Sequence, residues 1–428
     1  MLFLVKNTEY FKDKKITIVG LARSGLACAN LLYDLGARVY VSDNQDNRLT
    51  AANLKKLKSE KIKAELGKHT PGFIKDKDLI VVSPGVSNES EAVIWAGEFN
   101  IPVISEIELG FLLCPAQIIA ITGSSGKTTV TTLIGEILKA KQVKAVVCGN
   151  IGNPFCAELD KLRPGDYVSL EVSSFQLERI DKFRPKIALI LNLTRNHLDR
   201  YSDMQEYINA KKRIFMNQEN SDYLILNGED EELIKIGREA RSKVIYFSKG
   251  EQLNPNQAAV VEVGSILGIE KELCLKVFAD FKGIEHRMEE IAELNNVKFI
   301  NDSKATTAES AIWAIENIKR PIVLIAGGRH KGIDYSMILK SARKKVKKVV
   351  LIGEAKELIA DALEGSLAFE RADTMQEAVS RAFSIASPGD CVLLSPMCSS
   401  FDMFSDYEER GRVFKEAVSS LELKMDCR

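Results

Sequence analysis

Lys127 follows a Gly-Ser-Ser-Gly turn and precedes two threonines, in Ala120-Ile-Thr-Gly-Ser-Ser-Gly-Lys-Thr-Thr129. These residue types at this spacing hold a nucleotide's terminal phosphates. Backbone N–H groups of Gly123, Ser124, Ser125 and Gly126 would wrap the phosphate oxygens, and Lys127 would add a full charge. The hydroxyl of Thr128 would reach a Mg²⁺ ion, with Thr129 beside it. The longer form of the pattern has glycine where Ile121 stands. Glu171 lies between Leu170 and Val172, and a carboxylate inside an apolar run is costly unless it is paired or bound to a metal. Asn150 and His197 likewise follow apolar runs.

A second glycine pattern, Gly20-Leu-Ala-Arg-Ser-Gly25, has Asp43 about twenty residues on. That is the spacing of a dinucleotide-type βαβ unit, with Ala22 in place of the second glycine. The extra methyl would hold a pyrophosphate further off and argues against a tight NAD site.

These groups need elements to carry them. The run 117–121 predicts a buried strand, 123–126 a tight loop and 128–140 a helix. Before it, 15–20 predicts a strand, 26–35 a helix, 38–42 a second strand and 78–85 a third, closed by Ser83-Pro-Gly85. After it, 145–149, 166–172, 186–193 and 222–227 predict strands, so Lys127, Asn150, Glu171 and His197 fall at strand ends, where open α/β sheets keep ligands. The segments 204–215 and 256–267 predict helices, and 281–289 a connector. Strands at 297–301, 322–327, 349–353 and 391–395 alternate with helices at 308–318, 336–345 and 378–386 in a last α/β unit. Read alone, the run 210–215 and the cluster 343–348 are solvated basic faces.

At 428 residues the chain is too long for one core, and two or three domains are expected. Lys plus Arg and Asp plus Glu both total 59, so net charge points to no nucleic acid and no anionic membrane, and anionic ligands must be held locally. The eight cysteines are scattered with no zinc-like spacing, as expected of reduced thiols in a cytoplasmic protein. No run approaches a membrane span.

With these residues placed, the whole chain resembles the Mur ligase family of peptidoglycan synthesis. The resemblance rests on the two glycine loops together with Gly149-Asn-Ile-Gly152, Glu171-Val-Ser-Ser-Phe-Gln176, Asn196-His-Leu-Asp-Arg-Tyr201, His286-Arg287, Asn301-Asp-Ser-Lys-Ala-Thr306, Gly327-Gly-Arg-His-Lys331 and Ser395-Pro-Met-Cys-Ser-Ser400, in that order. It implies an α/β protein of three domains: a Rossmann-like UDP-binding domain (1–106), a central P-loop ATPase domain with a mostly parallel sheet (107–284), and a Rossmann-like C-terminal domain (285–428). It implies a monomeric enzyme that uses ATP and Mg²⁺ to add D-glutamate to UDP-N-acetylmuramoyl-L-alanine through an acyl phosphate. A sister ligase adding another amino acid, or a nucleotide-binding protein that has lost catalysis, are the rival readings.

By position, Arg23 and Ser24 would meet the pyrophosphate and Asp43 and Asn44 the uracil, with Ser83, Gly85 and Asn150 on the UDP-sugar. Thr128 and Glu171 would hold one Mg²⁺, and His197 and a carbamylated Lys211 a second. Asn256, Arg287 and Asp302 match ATP-contacting positions, and Lys304 belongs with the catalytic lysines. Thr306, Lys331, Ser400 and Tyr407 match the D-glutamate positions. Ala22, Thr307 and Tyr407 depart from the family's usual Gly, Asn and Phe.

Overall fold

Runs rich in Val and Ile become strands buried on both faces, and the amphipathic segments between them become the covering helices. The structure, a computed structural model, describes residues 8–194, 201, 203–250, 252–330 and 332–426. Two compact units divide between Phe281 and Lys282, inside the stretch read as a connector.

The first unit holds two sheets. Strands β1 (Lys15–Val19), β2 (Arg38–Asp43), β3 (Lys63–Leu66), β4 (Leu79–Val82) and β5 (Val103–Ser105) form a parallel sheet in the order β3-β2-β1-β4-β5. The chain direction across the sheet reverses between β1 and β4, which opens a crevice at their C-terminal ends. Strands β6 (Gln117–Thr122), β7 (Ala145–Gly149), β8 (Tyr167–Glu171), β9 (Ile187–Ile190), β10 (Tyr223–Asn227) and β11 (Lys243–Phe247) form the second, ordered β11-β10-β9-β6-β8-β7. Every pair in it is parallel, beyond the mostly parallel expectation. Its register sets Ile121 and Gly149 beside Glu171, and Thr122 beside Ile190, so the loops after four strands emerge together.

One continuous core cluster runs from Ile16 and Val41 through Leu109 and Phe155 to Val168 and Leu170. Between the sheets lies the short helix Glu106–Leu113. Its Glu108 carboxylate accepts the backbone N–H groups of Asp181 (3.0 Å), Lys182 (2.9 Å) and Phe183 (2.9 Å), the last of them buried and otherwise without an acceptor.

In the second unit, β12 (Glu289–Leu294), β13 (Val297–Asn301), β14 (Ile322–Gly327), β15 (Val346–Ile352), β16 (Phe369–Arg371) and β17 (Cys391–Leu394) make a sheet ordered β12-β13-β17-β14-β15-β16. All pairs are parallel except β12 with β13. That edge hairpin turns at Asn295 and Asn296, both at positive φ, where asparagine is among the few non-glycine residues tolerated. The sequence reading missed β12 because its glutamates break the apolar pattern, as edge strands permit. Five strands in all escaped it: β3, β5, β11, β12 and β16 are short or carry charges.

Two readings of basic runs are corrected. In 210–215, Lys211 is only 2 % exposed, Lys212 pairs with Glu239, and Arg213 donates to the carbonyls of Leu177 and Ile180. The cluster 343–348 is not one helix face. The helix Leu339–Lys345 ends within it, and Lys347 and Lys348, on β15, pair with Asp390 and Glu370 at 2.6 Å each.

Candidate active site

The loop after β6 is held from the neighbouring strand. Asn192, just past β9, accepts from Ser125 N at its side-chain oxygen (2.9 Å) and donates from its amide to Ser125 O (3.2 Å), while Ser124 N donates to Asn192 O (3.1 Å). The hydroxyl of Ser124 donates to Thr194 O (3.0 Å) and accepts from Thr194 N (2.9 Å). Its proton being spent there, Tyr207 is the donor in the 3.1 Å contact between the two hydroxyls. Gly126 has φ +80° and caps the helix Lys127–Ala140; a Cβ there would lie 2.4 Å from Asn256 Oδ1. Asn256, 130 residues downstream of Gly126, thus packs on the loop.

Lys127 Nζ donates to the carbonyls of Gly123 (2.8 Å) and Ser124 (3.1 Å). Lys211 Nζ donates to the same Gly123 oxygen (2.9 Å) and to Thr122 Oγ1 (3.3 Å), and lies 4.6 Å from the centre of the Tyr207 ring. Burial, and then the charge of Lys127, push the Lys211 pKa far below the usual lysine range. Glu171, at the end of β8, is buried; Oε1 accepts from Asn150 Nδ2 at 2.8 Å, and Oε2 has no hydrogen-bond partner among the described residues. The side chains of Thr128, Lys127, Asn150, Glu171 and Lys211 thus converge at one end of the second sheet. His197 lies outside the described residues, as does Lys331.

The first sheet's loops are stitched in the same manner. Asp43 accepts Leu21 N at Oδ2 (2.6 Å) and Gln45 N at Oδ1 (2.8 Å), so both oxygens shape the loops after β1 and β2. Ser83 Oγ donates to Gly20 O at 2.9 Å, joining the loops on either side of the crevice. A Cβ on Gly25 would stand 1.8 Å from Gly20 O, so only glycine permits the helix Arg23–Asp34 to start here. Ala22 takes its N-cap position without a side-chain bond. Arg23 reaches Gly152 O at 3.4 Å, linking this loop to Gly149-Asn-Ile-Gly152. Ser24 is half-buried at this helix start, whereas Asn44 and Gly85 are exposed at the loop tips.

In the second unit the loops after three adjacent strands, β13, β17 and β14, gather the remaining residues. Asp302, after β13, is buried; Oδ1 accepts from Met288 N (3.2 Å) and Oδ2 from Ser395 Oγ (3.1 Å). Burial raises its pKa to about 7, with Arg287 opposing. Lys304 Nζ lies 5.6 Å from the centre of the Tyr407 ring, and Thr306 N donates to Lys304 O at 2.9 Å. Ser400 is buried, and its carbonyl accepts from Phe404 N at 2.8 Å. Thr307 caps the helix Ala308–Asn317 through Ser310 N, a task its oxygen performs as an asparagine's would.

Sequence reasoning missed Asn192, Tyr207 and Arg410. Asn192 alone carried a signal, an amide directly after an apolar strand; the others are known only from their neighbours.

Family models match nearly the whole chain: "Mur ligase MurD-like, N-terminal domain" at residues 14–105, "Mur ligase middle domain" at 121–279, and "Mur ligase, glutamate ligase domain" at 286–398. A protein of Caldanaerobacter subterraneus subsp. tengcongensis named UDP-N-acetylmuramoylalanine--D-glutamate ligase is 39% identical over 445 residues, covering 96% of this chain and 99% of that protein. A protein of the same name from Pelobacter propionicus is 40% identical over 443 residues, with coverage of 96% and 99%. Among solved structures, the fold is similar to that of the UDP-N-acetylmuramate-alanine ligase of Thermotoga maritima (TM-score 0.59, 19% identity, 95% of this chain and 99% of that one). It is similar also to the MurF ligase of the same organism in complex with ADP (TM-score 0.60, 14% identity, 97% of each chain). The ordered loops and these full-length similarities place the chain in the Mur ligase family.

Proposed function

We propose that this chain is the ATP-dependent ligase that joins D-glutamate to the L-alanine carboxylate of UDP-N-acetylmuramoyl-L-alanine, acting as a cytoplasmic monomer. One observation carries the reading: the loop that would take ATP phosphates is flanked by a buried lysine, Lys211, and a buried, half-satisfied carboxylate, Glu171. A simple phosphate-binding loop needs neither. The full-length likeness to proteins named for this reaction supports the choice of substrates. Consistent with it, no helix among the described residues is long and apolar enough to cross a membrane.

A free carboxylate is a poor electrophile, and ATP remedies this. The alanine carboxylate oxygen attacks the γ-phosphorus and ADP leaves. The D-glutamate amine then attacks the acyl carbon, a proton is lost, and phosphate departs with the C–O bond electrons. Attack of one anion on another requires charge neutralisation, which Lys127 and the loop N–H groups supply. In this conformation the Ser124 and Ser125 N–H groups are given to Asn192 O and Oδ1, so these two donors would exchange those bonds for phosphate oxygens when ATP binds.

The Mg²⁺ implied by the family fits the residues here. Glu171 Oε2 is a buried carboxylate oxygen with no hydrogen-bond partner among the described residues, which suits a hard cation, and Thr128 begins the adjacent helix. When bound, the ion would neutralise phosphate charge. A protonated Lys211 would oppose a second cation. Burial and the charge of Lys127 depress the Lys211 pKa and so favour the neutral amine, which would take up carbon dioxide by forming an N–C bond and releasing a proton; the resulting carbamate, with His197, would be a suitable oxygen ligand.

Arg23, Ser24, Asp43, Asn44, Ser83 and Gly85 take the UDP portion in this reading, and Asn256, Arg287 and Asp302 attend ATP. Lys304 acts with the catalytic lysines, and Thr306, Lys331, Ser400 and Tyr407 serve D-glutamate. The division 1–106, 107–284 and 285–428 follows these roles, and catalysis requires the ATP and amino-acid groups to be brought together. The test is phosphate release with ATP, UDP-N-acetylmuramoyl-L-alanine and each candidate amino acid in turn. Release with D-glutamate is expected; release only with another amino acid would make the chain a sister ligase, and none at all a binding protein.

A further inference from the structure

Arg410 is the largest fully buried side chain among the described residues, and no carboxylate among them lies within ion-pair distance of it. Its guanidinium instead ties loops together. Nε donates to Ser303 Oγ (3.0 Å), Nη2 to Ser303 O (2.7 Å) and Nη1 to Cys398 O (3.0 Å). Ser303 Oγ in turn donates to Tyr407 O at 2.7 Å, at the start of the helix that carries Arg410. Ser303 immediately precedes Lys304 and stands three residues before Thr306; Cys398 stands two before Ser400. The segments that carry Lys304, Thr306, Ser400 and Tyr407 are therefore tied to one cation through Ser303 and Cys398.

Packing around the guanidinium leaves little slack. A Cβ on Gly328 would lie 3.1 Å from Nη1 and 2.2 Å from Ser399 O, so the loop after β14 closes tightly against it. The nearest acid in electrostatic terms, Asp402, spends Oδ2 on Glu354 N (2.8 Å). Burial draws the Arg410 pKa down to about 10, which still leaves it charged at neutral pH. Asp402 offsets this charge only in part, and a buried cation with no ion pair among the described residues is further relieved when an anion enters nearby.

We propose that Arg410 is the positioning residue of the amino-acid pocket: it sets the loops bearing Lys304, Thr306, Ser400 and Tyr407, and its unneutralised charge favours a substrate with two carboxylates. This deepens, and rests on, the D-glutamate reading. Arg410 need not touch the substrate.

The experiment separates the two half-reactions in the full chain with ATP and Mg²⁺ supplied. Acyl phosphate formed without amino acid is trapped by borohydride reduction, and complete ligation gives the KM for D-glutamate. Arg410→Met is expected to raise that KM at least 10-fold, leaving acyl phosphate yield and the KM for UDP-N-acetylmuramoyl-L-alanine within 2-fold. Arg410→Lys, which keeps the charge but not the three-way tie, is expected to recover only part of the loss. Should Arg410→Met not fold, Ser303→Ala removes one tie at smaller cost and is expected to raise the D-glutamate KM alone. An unchanged KM in the folded variant, or acyl phosphate formation falling in parallel with ligation, overturns the proposal. Absence of acyl phosphate in the unmodified protein would overturn the ligase reading itself, a distinct outcome.

Discussion

Lys127 and Lys211 donate to the same oxygen, the carbonyl of Gly123, at 2.8 Å and 2.9 Å. Two ammonium groups sharing one acceptor repel each other, and the more buried gives up its proton first. Lys211 is that one. Lys127, at the helix start, is then the cation that would face phosphate in the proposed reaction. Lys127→Ala should lower turnover about 10²-fold or more, the order found when a preorganised charge-stabilising group is removed. Steady-state phosphate release measures it, and near-normal turnover would remove Lys127 from the mechanism.

Lys211→Ala should be similarly impaired and should regain activity when short carboxylates such as acetate are added, since these can occupy the space of a carbamate. A fully active variant would deny the carbamate any role.

Gly25→Ala tests the first sheet's loop. Because its Cβ would fall 1.8 Å from Gly20 O, the backbone must shift where the pyrophosphate is expected. The KM for UDP-N-acetylmuramoyl-L-alanine should rise about 10-fold or more, a loss of roughly 1.4 kcal/mol in binding, while that for ATP changes little.

Glu106 offers a pH test of stability. Fully buried, it has its pKa raised by burial from 4.5 to about 7, despite accepting Cys156 N at 2.7 Å, and its Oε2 lacks a hydrogen-bond partner among the described residues. A carboxyl whose folded pKa is raised is favourable to folding below its unfolded pKa, and that advantage is lost as pH rises through the folded value. Stability attributable to Glu106 therefore declines between about pH 4.5 and 7. Glu106→Gln should be more stable than the parent above pH 7, by about 3 kcal/mol for a shift of this size, and the difference should shrink toward pH 5. Melting curves across that range decide it; a pH-independent difference would contradict the assignment.

Glu108→Ala should destabilise the first unit by about 1–3 kcal/mol, because the buried N–H of Phe183 loses its acceptor, with two partly buried N–H groups beside it. Urea titration followed by fluorescence measures the change, and a loss below 1 kcal/mol would mean water takes the carboxylate's place.

The three α/β sheets, the phosphate loop and the UDP loop were legible in the sequence because each is a local pattern. A strand, a glycine turn and a helix start fit within ten residues, and the required φ angles and N–H groups are set by those residues alone. The order of such patterns along the chain was enough to point to the family. Burial was not legible. Lys211 and Arg213 read as solvated charges because their run has helical spacing and no apolar partner in sequence, yet Lys211 meets Thr122 across 89 positions.

The sequence alone was enough to place glycine turns of a phosphate-holding type after Ile121 and after Val19. The tertiary structure decided which carboxylates keep an unpartnered oxygen, which lysine has its pKa pushed down, and that Arg410 lies inside with no ion pair among the described residues. The physical reason is common to all three. Desolvation and hydrogen-bond satisfaction depend on what surrounds a group in space, and here the surroundings come from segments tens to more than a hundred residues apart.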